Sequence, residues 1–111
     1  MERIVERTWL YDFYGELLTD HQRHVYEMSA DQDLSVSEIA EECGISRQGV
    51  SDLLKRCDAI LQGYEEKLHL VERFGKADSA VRRIAALAKD LPDSPEAQEI
   101  IRLAEGLADL L

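Results

Sequence analysis

The sequence is short of the residues that build anything other than helices. Two prolines and six glycines are all that interrupt its 111 residues, and nowhere do Val, Ile or Thr alternate with polar residues as a half-buried strand requires. These shortages exclude a sheet and leave an all-α fold. Cysteine is scarce as well: Cys43 and Cys57 are too few for a disulfide scaffold and lack a CxxC or Cys/His spacing, so they read as small buried hydrophobes in a reducing compartment. Long apolar runs are missing. Glu2, Arg3, Glu6 and Arg7 break up the first residues, against a signal peptide, and no other segment nears the length needed to cross a bilayer. A cytoplasmic protein with no membrane partner is expected. The last shortage is of positive charge: 13 Lys and Arg face 23 Asp and Glu, for a net charge of −10. Nucleic-acid affinity comes mostly from cations that neutralise phosphates, so any such contact here must be confined to a local basic patch.

What remains is rich in helical pattern. With 45% hydrophobic residues the chain can bury one core. Leu10, Phe13, Tyr14, Leu17 and Leu18 have the spacing of an amphipathic helix over about 4–18 that turns this stripe inward. Thr19-Asp20-His21-Gln22 and Ser35-Val36-Ser37-Glu38 each match a capping box, opening helices near 20–30 and 36–43, with Asp31-Gln32-Asp33 as the break between them. Gly44 stands where a left-handed terminator is wanted, and Ser46 can cap the next helix.

That next helix carries an apolar set from Val50 through Leu61 and Tyr64 to Val71 and Phe74. Read as continuous from Arg47 to Arg73 it spans about 27 residues and ~40 Å. Gly75 then serves as a hinge. Beyond it, Ala77, Val81, Ile84, Ala88 and Leu91 form one stripe, and Ala97, Ile100, Ile101, Ala104, Leu107 and Leu111 form another after Ser94-Pro95. The expected architecture is an all-α helical bundle with one long central helix, divided into residues 1–75 and a C-terminal helical hairpin, 76–111. So long a helix cannot bury both ends of its stripe against short neighbours. The hairpin either folds back in one chain or crosses to a second copy, and the short hinge favours a homodimer.

Within Val36–Lys55, VSEIAEECGISRQGVSDLLK places a small Ala40 where helices cross, Gly44 in the turn, and Ile39, Ile45, Val50 and Leu53 toward a shared core. These are the positions a helix-turn-helix restricts. Such a unit would present Ser46, Arg47, Gln48, Ser51 and Asp52 to base edges, and Lys55 and Arg56 to phosphate. Arg and Gln suit bidentate contacts with guanine and adenine. Against this stands the bland alternative of a unit that only packs three helices, since Glu38, Glu41, Glu42, Asp52 and Asp58 surround just three cations.

LLTDHQRHVYEM followed by DLSVSEIAEECGISRQGVSDLLKRCDAILQGYEEKLHL resembles the YlxM family of small bacterial helix-turn-helix proteins, over most of residues 1–75. The same stretch is similar to the promoter-reading domain of sigma factors. The resemblance implies a regulatory or accessory role beside the signal recognition particle, whose targeting GTPase is commonly encoded next to this family. It further implies the particle's RNA or that GTPase as partner, and it carries over Ser46, Arg47, Gln48, Lys55 and Arg56 as the matching positions. The alternative is a DNA-binding transcriptional regulator that uses the helix starting at Arg47.

No catalytic constellation is legible, and no cofactor is expected. His21 and His24 lie three apart but have no third ligand at usable spacing, so they read as ordinary solvated or half-buried histidines rather than a metal site. Without a phosphate-binding glycine loop the protein would modulate a GTPase rather than be one.

Overall fold

The computed structural model describes residues 3–111, with side chains from Val5 onward. Among them are six α-helices: α1 (Arg3–Tyr14), α2 (Asp20–Ala30), α3 (Val36–Cys43), α4 (Arg47–Leu68), α5 (Leu70–Lys89) and α6 (Pro95–Leu110). They fall into two compact units, the first ending at His69 and the second comprising Leu70–Leu111.

In the first unit the helix starts are fixed locally. Thr19 Oγ1 accepts from Gln22 N while the Gln22 side chain accepts from Thr19 N, and Ser35 and Glu38 repeat the arrangement at α3. Each box satisfies two amides that the first turn would otherwise leave open. Asp33, at φ 54°, turns the chain between α2 and α3. Gly44 ends α3 at φ 69°, and Ile45 N donates to Ala40 O at 3.1 Å, the six-to-one bond of a Schellman turn.

Val25, Met28, Ile39, Ala40 and Val50 form the buried centre of α2, α3 and α4, with Leu34, Val36, Cys43, Leu53 and Leu54 packed around it. Ile45, expected in that centre, is 36% exposed. It belongs to the turn, where the backbone that must close the Schellman bond leads its side chain outward. Of the stripe expected over 4–18, Leu10, Tyr14 and Leu18 are buried, but Phe13 and Leu17 are 40% and 55% exposed. Helix α1 tightens into a 3-10 turn at Gly15–Leu17, and three residues per turn instead of 3.6 rotates Leu17 out of the stripe.

The first unit is tied together by aromatics and charge. Tyr11 stacks on Tyr26 at 5.0 Å between centroids, and its hydroxyl donates to Glu27. Tyr14 stacks on Tyr64 at 5.9 Å and donates to Glu65 Oε1 at 2.6 Å. The Arg7 guanidinium lies over the Tyr26 ring and reaches Asp58 at 3.3 Å. These contacts pin α1 against α2 and α4.

The long helix is shorter than the apolar pattern suggested. Helix α4 has 22 residues and stops at His69, which adopts φ 56° while its N–H donates to Glu65 O. His is among the non-glycine residues that tolerate this left-handed state. Gly75, expected to be the hinge, lies inside α5, where a single glycine costs about 1 kcal/mol relative to Ala without breaking the helix. The division therefore falls at 69/70 and not at 75/76.

The second unit is the hairpin of α5 and α6, joined by residues 90–94. Ser94 Oγ accepts from Ala97 N at 3.0 Å, and Pro95 occupies the first turn of α6. Its inward residues are small: Val81, Ala85 and Ala88 on α5, and Ala97 and Ala104 on α6. Ile84, Leu91, Ile100 and Leu107, all assigned to inward stripes by spacing, are instead 47%, 53%, 38% and 46% exposed.

Candidate nucleic-acid interface

Helix α4 meets the core along Val50, Leu53, Leu54 and Cys57. At about 100° per residue Lys55, Gln48 and Asp52 point away from this seam, Ser51 and Arg56 stand on opposite flanks, and Arg47 lies nearest the core side, so the ridges Arg47-Ser51-Lys55 and Gln48-Asp52-Arg56 wrap about half of the helix. Arg47, Gln48, Asp52, Lys55 and Arg56 are exposed and Ser51 is half-buried. The seven positions singled out from the sequence, Ser46 to Arg56, thus share one end of α4, within about 15 Å along its axis at 1.5 Å per residue.

They do not share one role. Ser46 Oγ accepts from Gly49 N at 2.9 Å, so the serine is the N-cap of α4. Gly49 keeps room for this: a β-carbon there would lie 3.1 Å from that oxygen. Ser46→Ala is expected to cost about 0.5–2 kcal/mol of stability, read as a lowered melting temperature. Nucleic-acid affinity measured well below that temperature should stay unchanged, and a selective loss of affinity would make Ser46 a contact residue after all. The Gln48 amide donates to Asp52 Oδ1 at 2.9 Å, so an adenine contact would have to displace that bond.

The charge pattern is more informative than the total. Among the described residues, Arg47, Lys55 and Arg56 have no carboxylate within ion-pair distance, and neither do Lys67, Arg73 and Arg83, whereas Arg7, Arg23, Lys76, Arg82, Lys89 and Arg102 each have one; the trio differs from the other three in falling within ten residues of one helix. Two of the five acids that crowd this stretch of sequence are engaged elsewhere: Glu38 in its capping box and Asp58 on Arg7. With Asp52 the only carboxylate on the two ridges, the exposed end of α4 carries three cations and one anion.

Sequence reasoning missed the flank of this surface. An open groove of about 360 Å³ runs beside α4, lined by Thr19, His21, Gln22, Gly49, Asp52, Leu53 and Arg56. The capping box that starts α2 therefore borders the site. It lies some thirty residues upstream, and only the α2–α4 packing brings it there. His21 and His24 are both exposed, and no group of three metal-binding side chains occurs among the described residues. Cys57 is buried, which pushes its thiol pKa up and keeps it protonated. Among the described residues no helix is long and apolar enough to cross a membrane.

Residues 1–101 match the family model described as "Putative helix-turn-helix protein, YlxM / p13 like". The chain belongs to this family. It is 38% identical over 110 residues to the UPF0122 protein YlxM of Bacillus subtilis, covering 99% of this chain and 97% of that one. It is 43% identical over 101 residues to a UPF0122 protein of Thermoanaerobacter sp. strain X514, covering 91% and 86%. A UPF0122 protein of Desulforamulus reducens is 40% identical over 98 residues, covering 88% and 83%. The family resemblance drawn from LSVSEIAEE, GISRQGV and YEEKLHL is confirmed, as is the all-α class. The description is that of a helix-turn-helix protein and names no enzymatic activity, and it makes a nucleic-acid ligand plausible.

Proposed function

We propose that this chain is a cytoplasmic accessory protein of the signal recognition particle pathway, that it binds the particle's RNA through the exposed end of α4, and that it works as a homodimer. The observation that supports nucleic acid is the trio Arg47, Lys55 and Arg56, left without carboxylate partners in a chain of net charge −10. Desolvating an ion pair to reach phosphate is costly, whereas an unpaired surface cation gives up only bound water and anions. The pathway is the one implied by the YlxM resemblance, and its targeting GTPase is a further partner that the same resemblance offers.

A second function, transcriptional regulation by duplex DNA binding, is favoured by one feature. In the first two turns of α4, Val50 and Leu53 pack on the core while Arg47 and Gln48 are exposed and Ser51 is half-buried, the division a recognition helix requires. Fluorescence anisotropy with the particle RNA, an unrelated RNA of equal length, and promoter and random duplexes would separate the two. The particle RNA is expected to bind at micromolar concentration in low salt. Its log-log salt slope should be no steeper than about −2 to −3, for three cations at 0.7–0.9 per phosphate. Absence of binding to both this RNA and the GTPase in low salt would end the pathway proposal, and a promoter duplex that beats random DNA would establish the second.

A further inference from the structure

The homodimer proposed above names a partner but no surface, and the hairpin supplies one. Its two helices touch through Val81, Ala85, Ala88, Ala97 and Ala104, while the large aliphatic residues lie outside this seam. On α5, Ile84 and Leu87 are 47% and 49% exposed; on α6, Ile100, Leu103, Leu107 and Leu110 are 38%, 57%, 46% and 83% exposed. The α6 residues follow the alternating 3-4-3 spacing of a coiled-coil seam, and Ala77, Ala80, Ile84 and Leu87 give 3-4-3 along α5.

The two rows lie on one face. Viewed from its own N-terminus, each helix carries its large residues about a quarter-turn from its inward small ones, to the same hand. For antiparallel neighbours, the same hand means the same side. The opposite side is occupied by charge: Lys89 reaches Glu105 at 3.4 Å across it, beside a groove that Arg82 and Asp109 also line. The hairpin is therefore amphipathic as a unit, half of a four-helix bundle with its core turned outward.

We infer that the occupant of this face is the same face of a second copy, so that two hairpins form a four-helix bundle. Two things select a copy over an unrelated helix. The six side chains expose on the order of 500–600 Å² of apolar surface, at the upper end of the ~300–600 Å² found as the largest patch on monomers and approaching the ~800 Å² per partner of a standard interface. A flat pair of apolar rows is also complementary to its own two-fold copy, row against row, which is what an isologous interface needs. A lone docking helix would sit between the two rows and cover only their inner flanks, whereas rows set a quarter-turn from the seam match the square packing of a four-helix bundle. Small residues within each hairpin let its helices approach closely, and the large ones interdigitate between hairpins.

Sedimentation equilibrium of the full chain at low micromolar concentration is expected to give twice the 12.6 kDa chain mass. A monomer overturns this surface and the homodimer together, leaving the nucleic-acid proposal untouched. The double variant Leu87→Ala, Leu103→Ala keeps helix propensity at two exposed positions, so the monomer should retain its helical circular dichroism. Its dimer dissociation constant should rise at least about tenfold from lost apolar burial. Ala86→Gln, at an exposed position beside the charged groove, should leave the constant unchanged. A dimer that tolerates the double variant, or is weakened equally by the control, associates through some other face and overturns the inference while sparing the homodimer.

Discussion

Ile39→Ala is expected to lower the free energy of unfolding by about 2–5 kcal/mol, the range for emptying a fully buried aliphatic site. Ile39 has no exposed surface and packs with Val25, Met28 and Val50, so it is the residue through which α3 meets both α2 and α4. A cavity there is walled by three helices whose ends are already fixed by caps, which limits how far they can collapse. Ile45→Ala is the informative partner. The sequence pattern places both isoleucines in the core, yet Ile45 is 36% exposed, and its loss should cost less than about 1.5 kcal/mol by area. Urea denaturation followed by circular dichroism gives both values. Equal costs would mean that Ile45 is buried in solution and that the turn is packed differently.

The contrast between those two residues shows what could be read from the chain. Features closed within four residues were legible: the boxes at Thr19 and Ser35, the left-handed Gly44 and the cap at Ser46 each depend on chemistry contained in a single turn. The helix-turn-helix followed, because its constraints are a sum of such local ones. Apolar spacing carried less. The apolar set from Val50 through Tyr64 to Val71 and Phe74 reads as one helix, but the interval from Tyr64 to Val71 crosses the break at His69. A histidine gives no compositional warning of a left-handed turn. In the hairpin, periodicity merged two stripes that the structure separates by side-chain size, since a pattern of apolar letters does not distinguish Ala85 from Ile84. Charge was the least legible property. Asp58 seemed to mask the basic residues, yet it pairs with Arg7, 51 positions earlier.

That uncovering of charge leads to the largest expected effect on binding. Reversing Arg47, Lys55 and Arg56 together to Glu changes the exposed end of α4 from three cations and one anion to four anions. Affinity for the particle RNA, or for whichever nucleic acid binds, should fall at least about a hundredfold in low salt. Each reversal removes one neutralised phosphate and adds a repulsion. The folded state should be unaffected, because none of the three side chains is buried or ion-paired. Net charge alone could weaken binding, so the control must carry the same total. Reversing Lys76, Arg82 and Arg102 does so at sites already neutralised by Glu72, Asp78 and Glu99 on their own helices. At physiological ionic strength the Debye length is about 8 Å, which screens distant charge and leaves direct contacts. The α4 variant should then remain strongly impaired while the control approaches the wild type. Equal losses in the two variants at that ionic strength would remove the exposed end of α4 as the binding surface and leave bulk electrostatics as the explanation.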